Sequence, residues 1–207
     1  VTGSITRVAA FDVDGTLTTR DCVVPFMRRV AGTPRLVGGM LRSPGGLVAS
    51  AARRDRDALK AASASAAFAG RDIVEVQAEA DAFARSVFSD RLRSDVLESM
   101  RAHQQSGDTV VLVSASFELY LRPLAGLLRA DDVLAVRLEI DDGRLTGRLD
   151  GPNCRGPEKV RRLHEWLDER AGGRRAVHVT AYGDSAGDRE LLGDADVAHW
   201  VGKMPGS

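Results

Sequence analysis

Neither sign of charge is in excess in this chain: 29 lysines and arginines face 29 aspartates and glutamates over 207 residues. A protein without net positive charge has no overall attraction for a phosphate backbone, so no nucleic acid is expected as a partner. Cysteine is nearly missing. Cys22 and Cys154 stand far apart and fit no metal or redox spacing, so the expectation is two thiols in a reducing compartment rather than a disulfide. The four histidines, His103, His164, His178 and His199, share no ligand spacing either. Long apolar runs are lacking too: none reaches the roughly eighteen residues of a membrane span. Val1 to Thr6 hold no charged stretch leading into an apolar one, so no targeting segment is read there. A soluble, cytoplasmic protein is the expectation.

What is present reads as a globular chain, 43% hydrophobic and 28% charged, with room for one sizeable core and a smaller accessory unit. Arg7 to Val13 is a mostly apolar run, the mark of a fully buried strand. The next such run comes only at Thr109 to Ser114. Between them lies sequence rich in alanine, leucine and arginine that reads as helices. It is punctuated at Gly32-Thr33-Pro34, at Ser43-Pro44-Gly45-Gly46 and at Gly70-Arg71-Asp72. Asp90 to Gln105 reads as one long helix stopped by Gly107. Beyond Ser114 the elements alternate. Leu119 to Leu128 is helical, and Val133 to Ile140 and Arg144 to Leu149 form a hairpin turned at Asp141-Asp142-Gly143. A helix over Pro157 to Arg170, a strand over Ala176 to Tyr182, a short helix over Gly187 to Leu192 and a strand over Asp196 to Val201 follow. Pro205-Gly206-Ser207 reads as a frayed end. Alternation of this kind implies an α/β protein with a Rossmann-like, doubly wound parallel sheet, which binds ligands at the carboxyl ends of its strands. Residues 1–19 and 89–207 are assigned to the core. Residues 20–88 leave the sheet at its ligand-binding edge and are assigned to a helical cap.

The sharpest signal is Phe11-Asp12-Val13-Asp14-Gly15-Thr16-Leu17, where the first strand ends. Two aspartates one residue apart normally face opposite ways along a strand, but Gly15 lets the backbone turn and bring both to one site. Such a pair suits cleavage of a phosphate ester, with Asp12 as nucleophile and Asp14 as the acid for the leaving oxygen. A solvated acidic turn is the plainer reading. Two like charges about 4 Å apart repel by roughly 4 kcal/mol at an effective dielectric near 20, so an attacking carboxylate needs positive charge beside it. Tyr182-Gly183-Asp184-Ser185-Ala186-Gly187-Asp188 places two more carboxylates after an apolar strand. With Asp12 they suit Mg²⁺, its shell completed by water, a phosphate oxygen and the backbone carbonyl of Asp14. Capping of the next helix would also use Asp184 or Ser185. Ser114 ends the second apolar run, where its hydroxyl and the N–H of Ala115 suit a phosphoryl oxygen. A serine there serves equally as a helix N-cap. Lys159 sits early in a helix, where the dipole disfavours a cation, and this points to a role beyond surface solvation.

Asp12-x-Asp14-Gly15-Thr16, Ser114, Lys159 and Gly183-Asp184-x-x-x-Asp188 occur in the order of the four motifs of the haloacid dehalogenase (HAD) superfamily, which the chain resembles throughout its length. The helical insertion after the first motif resembles the C1 cap of subfamily IB, the phosphoserine-phosphatase-like branch. The resemblance implies a phosphatase working through an aspartyl-phosphate. Asp12 would be the phosphorylated nucleophile and Asp14 general acid, then base. Ser114 and Lys159 would bind the phosphoryl group and Asp184 the metal, with Asp188 supporting the metal or Lys159. Asp14 argues against a dehalogenase, whose chemistry needs no leaving-group acid.

The substrate is less legible. Asp21 falls where phosphoserine phosphatases carry a glutamate for the substrate amine, though it serves equally as an N-cap. Their carboxylate-binding cap arginine aligns with Ala64, with Lys60 one turn earlier, and this counts against phosphoserine. Pro25 to Lys60 is locally basic, with Arg28, Arg29, Arg35, Arg42, Arg53, Arg54, Arg56 and Lys60, and contains the apolar Leu36-Val37-Gly38-Gly39-Met40-Leu41. Solvated helix faces account for this pattern; so does attraction of an anionic substrate or membrane surface. A small soluble phosphorylated metabolite is the favoured substrate. A phosphatidylglycerophosphate-type lipid, or a phosphotransferase reaction through the same intermediate, is the alternative. A response-regulator receiver also uses Asp, Ser/Thr and Lys around Mg²⁺, but it is near half this length and has no cap.

Overall fold

The computed structural model describes residues 6–34, 36, 38 and 56–202. Its centre is β1 (Arg7–Phe11), whose residues after Arg7 are all buried. A strand covered on both faces must be apolar without alternation, and Val8-Ala9-Ala10-Phe11 satisfies that. β2 (Arg71–Asp72), β3 (Thr109–Phe117), β4 (Asp132–Asp141), β5 (Arg144–Asp150), β6 (His178–Gly183) and β7 (Val197–Trp200) complete the sheet. The order is β2-β5-β4-β3-β1-β6-β7. Pairing is parallel from β4 through β7 and antiparallel at β5 and β2. The chain winds outwards from β1 first through β3 and β4, then through β6 and β7. The switch point therefore lies at the carboxyl end of β1, where such sheets open a crevice. β4 and β5 are joined through Asp142 (φ 45°) and Gly143 (φ 72°), the two positive-φ positions of a tight hairpin.

Residues 20–88 contribute α1 (Val23–Ala31), α2 (Arg56–Phe68), β2 and most of α3 (Ile73–Asp90). Among its described residues the insertion is mainly helical, and β2 extends the sheet by pairing with β5. The Asp72 carboxylate caps α3 by accepting from the N–H groups of Val74 and Glu75. Phe26 of α1 packs 5.8 Å from Phe68 of α2, 5.4 Å from Phe83 of α3 and 4.9 Å from Tyr120. Phe117 lies 5.0 Å from Phe68, so the insertion and the sheet share one aromatic cluster. The arginines at 35, 42, 53 and 54, most of the apolar stretch 36–41, the Ser43 to Gly46 punctuation and Pro205 to Ser207 lie outside the described residues.

The remaining helices are α4 (Ser94–Gln105), α5 (Glu118–Leu128), α6 (Pro157–Ala171) and α7 (Arg189–Asp194). Asp90 to Gln105 is not the single helix expected from its pattern. α3 ends at Asp90 and α4 starts at Ser94, because Leu92 bridges to Thr18 and the Arg93 N–H donates to Leu17 O at 2.9 Å. Those bonds tie the end of the insertion to the turn where it began. Both cysteines are buried and free.

Candidate active site

Asp12 follows β1 directly, and its N–H donates to Tyr182 O at 3.0 Å, so β6 fixes where its side chain stands. The chain then winds tightly through Val13–Leu17, with Gly15 at φ 86°. A side chain at Gly15 would be strained there and would collide with the Asp184 carboxylate. Thr16 Oγ1 donates to Asp184 Oδ1 at 3.1 Å and orients it. The turn brings Asp14 round to accept from the Cys22 N–H at 2.8 Å and from the Ser116 hydroxyl. Burial pushes the Asp14 carboxyl above its ordinary range, against the lowering pull of Ser116. Asp14 therefore tends to hold a proton that a solvated aspartate would lose.

Lys159, on the first turn of α6, is 1% exposed, and its Nζ donates to Asp12 Oδ1 and to Asp188 Oδ1, each at 2.6 Å. A buried ammonium between two carboxylates is the arrangement that lets such charges leave water. Burial pushes the Asp12 carboxyl up to about 7, with Lys159 pulling the other way. Burial also works against charge on Asp188, but Lys159 overcomes it and holds that carboxyl below its ordinary range. Carboxylate oxygens of Asp12, Asp184 and Asp188 lie within 4.8 Å of one another. The plainer alternative, capping of the next helix by Asp184 or Ser185, is not what this loop does: α7 has no side-chain capping bond, Asp184 accepts from Thr16, and Ser185 donates to Asp188 from its N–H at 3.0 Å and its Oγ at 2.7 Å.

Ser114 is buried, but no helix begins beside it, as the sequence had suggested. β3 runs on to Phe117 with an irregularity between Val113 and Phe117, and α5 starts only at Glu118. The N-cap reading is therefore excluded, and the phosphoryl pocket expected at Ser114 and Ala115 is lined by an irregular strand end. Ser116, which the sequence reading passed over, reaches Asp14 from this segment. Its two-residue offset from Ser114 along an extended run was the available signal.

These groups line a cleft of about 420 Å³ that also contains Asp21 and Lys60. Asp21 accepts from the Val24 N–H at 3.2 Å, so it has the capping role and also faces the cleft. Lys60 donates to the Ala115 carbonyl and lies 4.8 Å from the Phe117 ring centroid. Burial lowers its ammonium to about 8. Ala64 is fully buried in the apolar cluster, away from the cleft wall. Two further lining residues, Asn153 and Arg155, stand in the loop between β5 and α6 and carried no motif signal.

The match to known proteins follows the same geometry. The family model for haloacid dehalogenase-like hydrolases matches residues 9–193. Protein CicA of Caulobacter vibrioides is 40% identical over 191 residues, which is 91% of this chain and 83% of that one. A histidinol-phosphatase of Neisseria meningitidis is 32% identical over 95 residues, 45% of this chain and 43% of that one. Among solved structures, a protein of unknown function from Bordetella pertussis Tohama I superposes with a TM-score of 0.73 at 26% identity, over 93% of this chain and 89% of that one. A phosphoserine phosphatase in apo form shares the fold at a TM-score of 0.60 and 17% identity, over 93% of this chain and 84% of that one. This chain belongs to the haloacid dehalogenase-like hydrolase family. It is an enzyme of the phosphatase type within that family, built on the fold of the phosphoserine phosphatases.

Proposed function

We propose that this protein is a Mg²⁺-dependent phosphomonoester hydrolase that passes through an aspartyl-phosphate on Asp12. The observation that carries the reading is the position of Lys159, 2.6 Å from both Asp12 and Asp188, beside a buried Asp14 whose carboxyl is held above its ordinary range by burial. An Asp12 oxygen attacks phosphorus, the ester O–P bond breaks, and Asp14 gives its proton to the departing oxygen. Lys159, the Ser114 hydroxyl and the Ala115 N–H hold the phosphoryl oxygens. Asp14, now a carboxylate, then takes a proton from the water that opens the aspartyl-phosphate and releases phosphate. The donor set is all oxygen, carboxylates from Asp12 and Asp184 with the backbone carbonyl of Asp14, which suits the hard, octahedral Mg²⁺ rather than a softer metal. When bound, the ion supplies positive charge against the phosphoryl oxygens.

Residues 20–88 act in this reading as the cap that chooses the substrate. Asp21 offers a carboxylate to a cationic group on the leaving alcohol, and the buried Ala64 offers nothing to a carboxylate. A small, soluble phosphate ester bearing an amine is therefore the favoured substrate class. The test is a screen of phosphorylated metabolites with the wild-type enzyme, paired with Asp12→Asn. That variant is expected to fold, to lose turnover on every substrate and to take no label from fluoroberyllate. Label on Ser114 or on a histidine in the wild type would reject the mechanism.

A further inference from the structure

Resting on the phosphatase reading, we propose that Arg155 is a phosphoryl-binding residue of this site, a guanidinium clamp carried by the loop between β5 and α6. Arg155 lines the same cleft as Asp12, Ser114 and Lys159. It covers Gly187: a Cβ at that position would lie 3.0 Å from Arg155 Nε and 3.1 Å from its Cγ. Gly187 is not among the positive-φ glycines, so its backbone conformation does not call for glycine. A side chain there would crowd the arginine as it now stands. Gly187 directly precedes Asp188, which holds Lys159, so the guanidinium stands on the phosphoryl side of the site rather than on the leaving-group side.

The loop carrying Arg155 is held at several points. Arg155 N–H donates to Asn153 O at 2.7 Å, Gly156 N–H to Gly187 O at 2.9 Å and Glu158 N–H to Arg155 O at 3.2 Å. Cys154, between Asn153 and Arg155, turns inwards and is fully buried, so its two neighbours face the cleft. A preformed loop lowers the ordering cost of any contact its side chains make. Among the described residues no side-chain hydrogen bond or ion pair engages the guanidinium.

Charge explains why a second cation is needed. Lys159 is already shared by two carboxylates, and Lys60 is tied to the Ala115 carbonyl. A phosphate dianion entering this site brings two more negative charges. Arg155 is the fixed positive group left uncommitted among the lining residues, and its planar fork matches two phosphate oxygens at once.

Inorganic phosphate is the probe. Its affinity, measured by calorimetry in the presence of Mg²⁺, is expected to fall roughly ten- to hundredfold in Arg155→Ala, the range for a hydrogen-bonded charge, and less in Arg155→Lys. Gly187→Ala, which keeps the arginine but crowds it, is expected to weaken phosphate in the same direction. KM for a small aryl phosphate should rise in parallel, while the melting temperature of Arg155→Ala stays near that of wild type, because no partner is orphaned. Unchanged phosphate affinity in Arg155→Ala overturns the proposal. So does a loss confined to substrates with an anionic leaving group, which would assign the arginine to the alcohol instead. A wild-type protein that neither binds phosphate nor hydrolyses the aryl ester overturns the phosphatase reading as well; one that does both, indifferent to Arg155, overturns the proposal alone.

Discussion

Single residues here derive their chemistry from how far each is removed from water. Asp14 is expected to act as an acid because burial favours its proton, and Asp14→Asn removes that proton without touching the nucleophile. Alkyl phosphates, which need protonation to leave, should lose far more rate than an activated aryl phosphate. Equal losses would take the acid role from Asp14. Lys60 makes a prediction about stability. Its ordinary value of 10.5 falls to about 8 in the fold, because burial disfavours the charged form. Between those two values the unfolded chain holds a proton that the folded chain has released, so this group makes stability rise with pH there. Below about 8 the full penalty is present. Lys60→Met should therefore stabilise the protein at pH 7, by about 1–3 kcal/mol, and the advantage should shrink towards pH 10. Urea midpoints of the two proteins at both pH values check it. A constant difference would place the effect in packing instead.

Elements of secondary structure followed local pattern wherever that pattern was also what packing required. β1, the hairpin of β4 and β5, α5 and α6 lie within a residue or two of their expected bounds. The misreading at Asp90 to Gln105 has a tertiary cause. Its residues are good helix formers throughout, yet backbone pairing with Leu17, Thr18 and Thr19 opens a break at 91–93. Propensity is a weak prior beside such bonds. α3 begins where Asp72 caps it, a signal legible beforehand as Gly70-Arg71-Asp72. Asp72→Ala should cost about 1 kcal/mol of global stability, because α3 packs on the core and cannot fray independently. A urea titration reads this directly; no change would mean that β2 pairing, not the cap, starts the helix.

At the scale of the whole molecule, residues 20–88 and the sheet are joined through one aromatic cluster. Three of the six phenylalanines, Phe68, Phe83 and Phe117, meet with Tyr120 around a fourth, Phe26, across the boundary. Phe26 is fully buried at the centre of that cluster. Phe26→Ala should cost about 3–5 kcal/mol, the usual price of a large aromatic cavity. Unfolding should remain a single transition in which far-UV dichroism and the fluorescence of Trp166 and Trp200, both on the sheet side, coincide. An early dichroism change without a fluorescence change would show that the insertion melts alone.

Asp12, Asp14, Ser114, Lys159, Asp184 and Asp188 were legible in the sequence because each stands where an apolar run or a helix-opening Gly-Pro places it. In a sheet of this kind those positions converge by topology, so local pattern was sufficient to bring them to one edge. Contacts between distant loops were not legible. Ser116 reaches Asp14 from 102 positions away through an irregular strand end, Asn153 Nδ2 bonds Asp57 Oδ1 across 96 positions, and Arg155 lies over a glycine in another loop. Such contacts depend on how loops from different strands stack above the sheet. Nothing in a loop's own residues encodes which neighbour it meets, so only the packed molecule decides it.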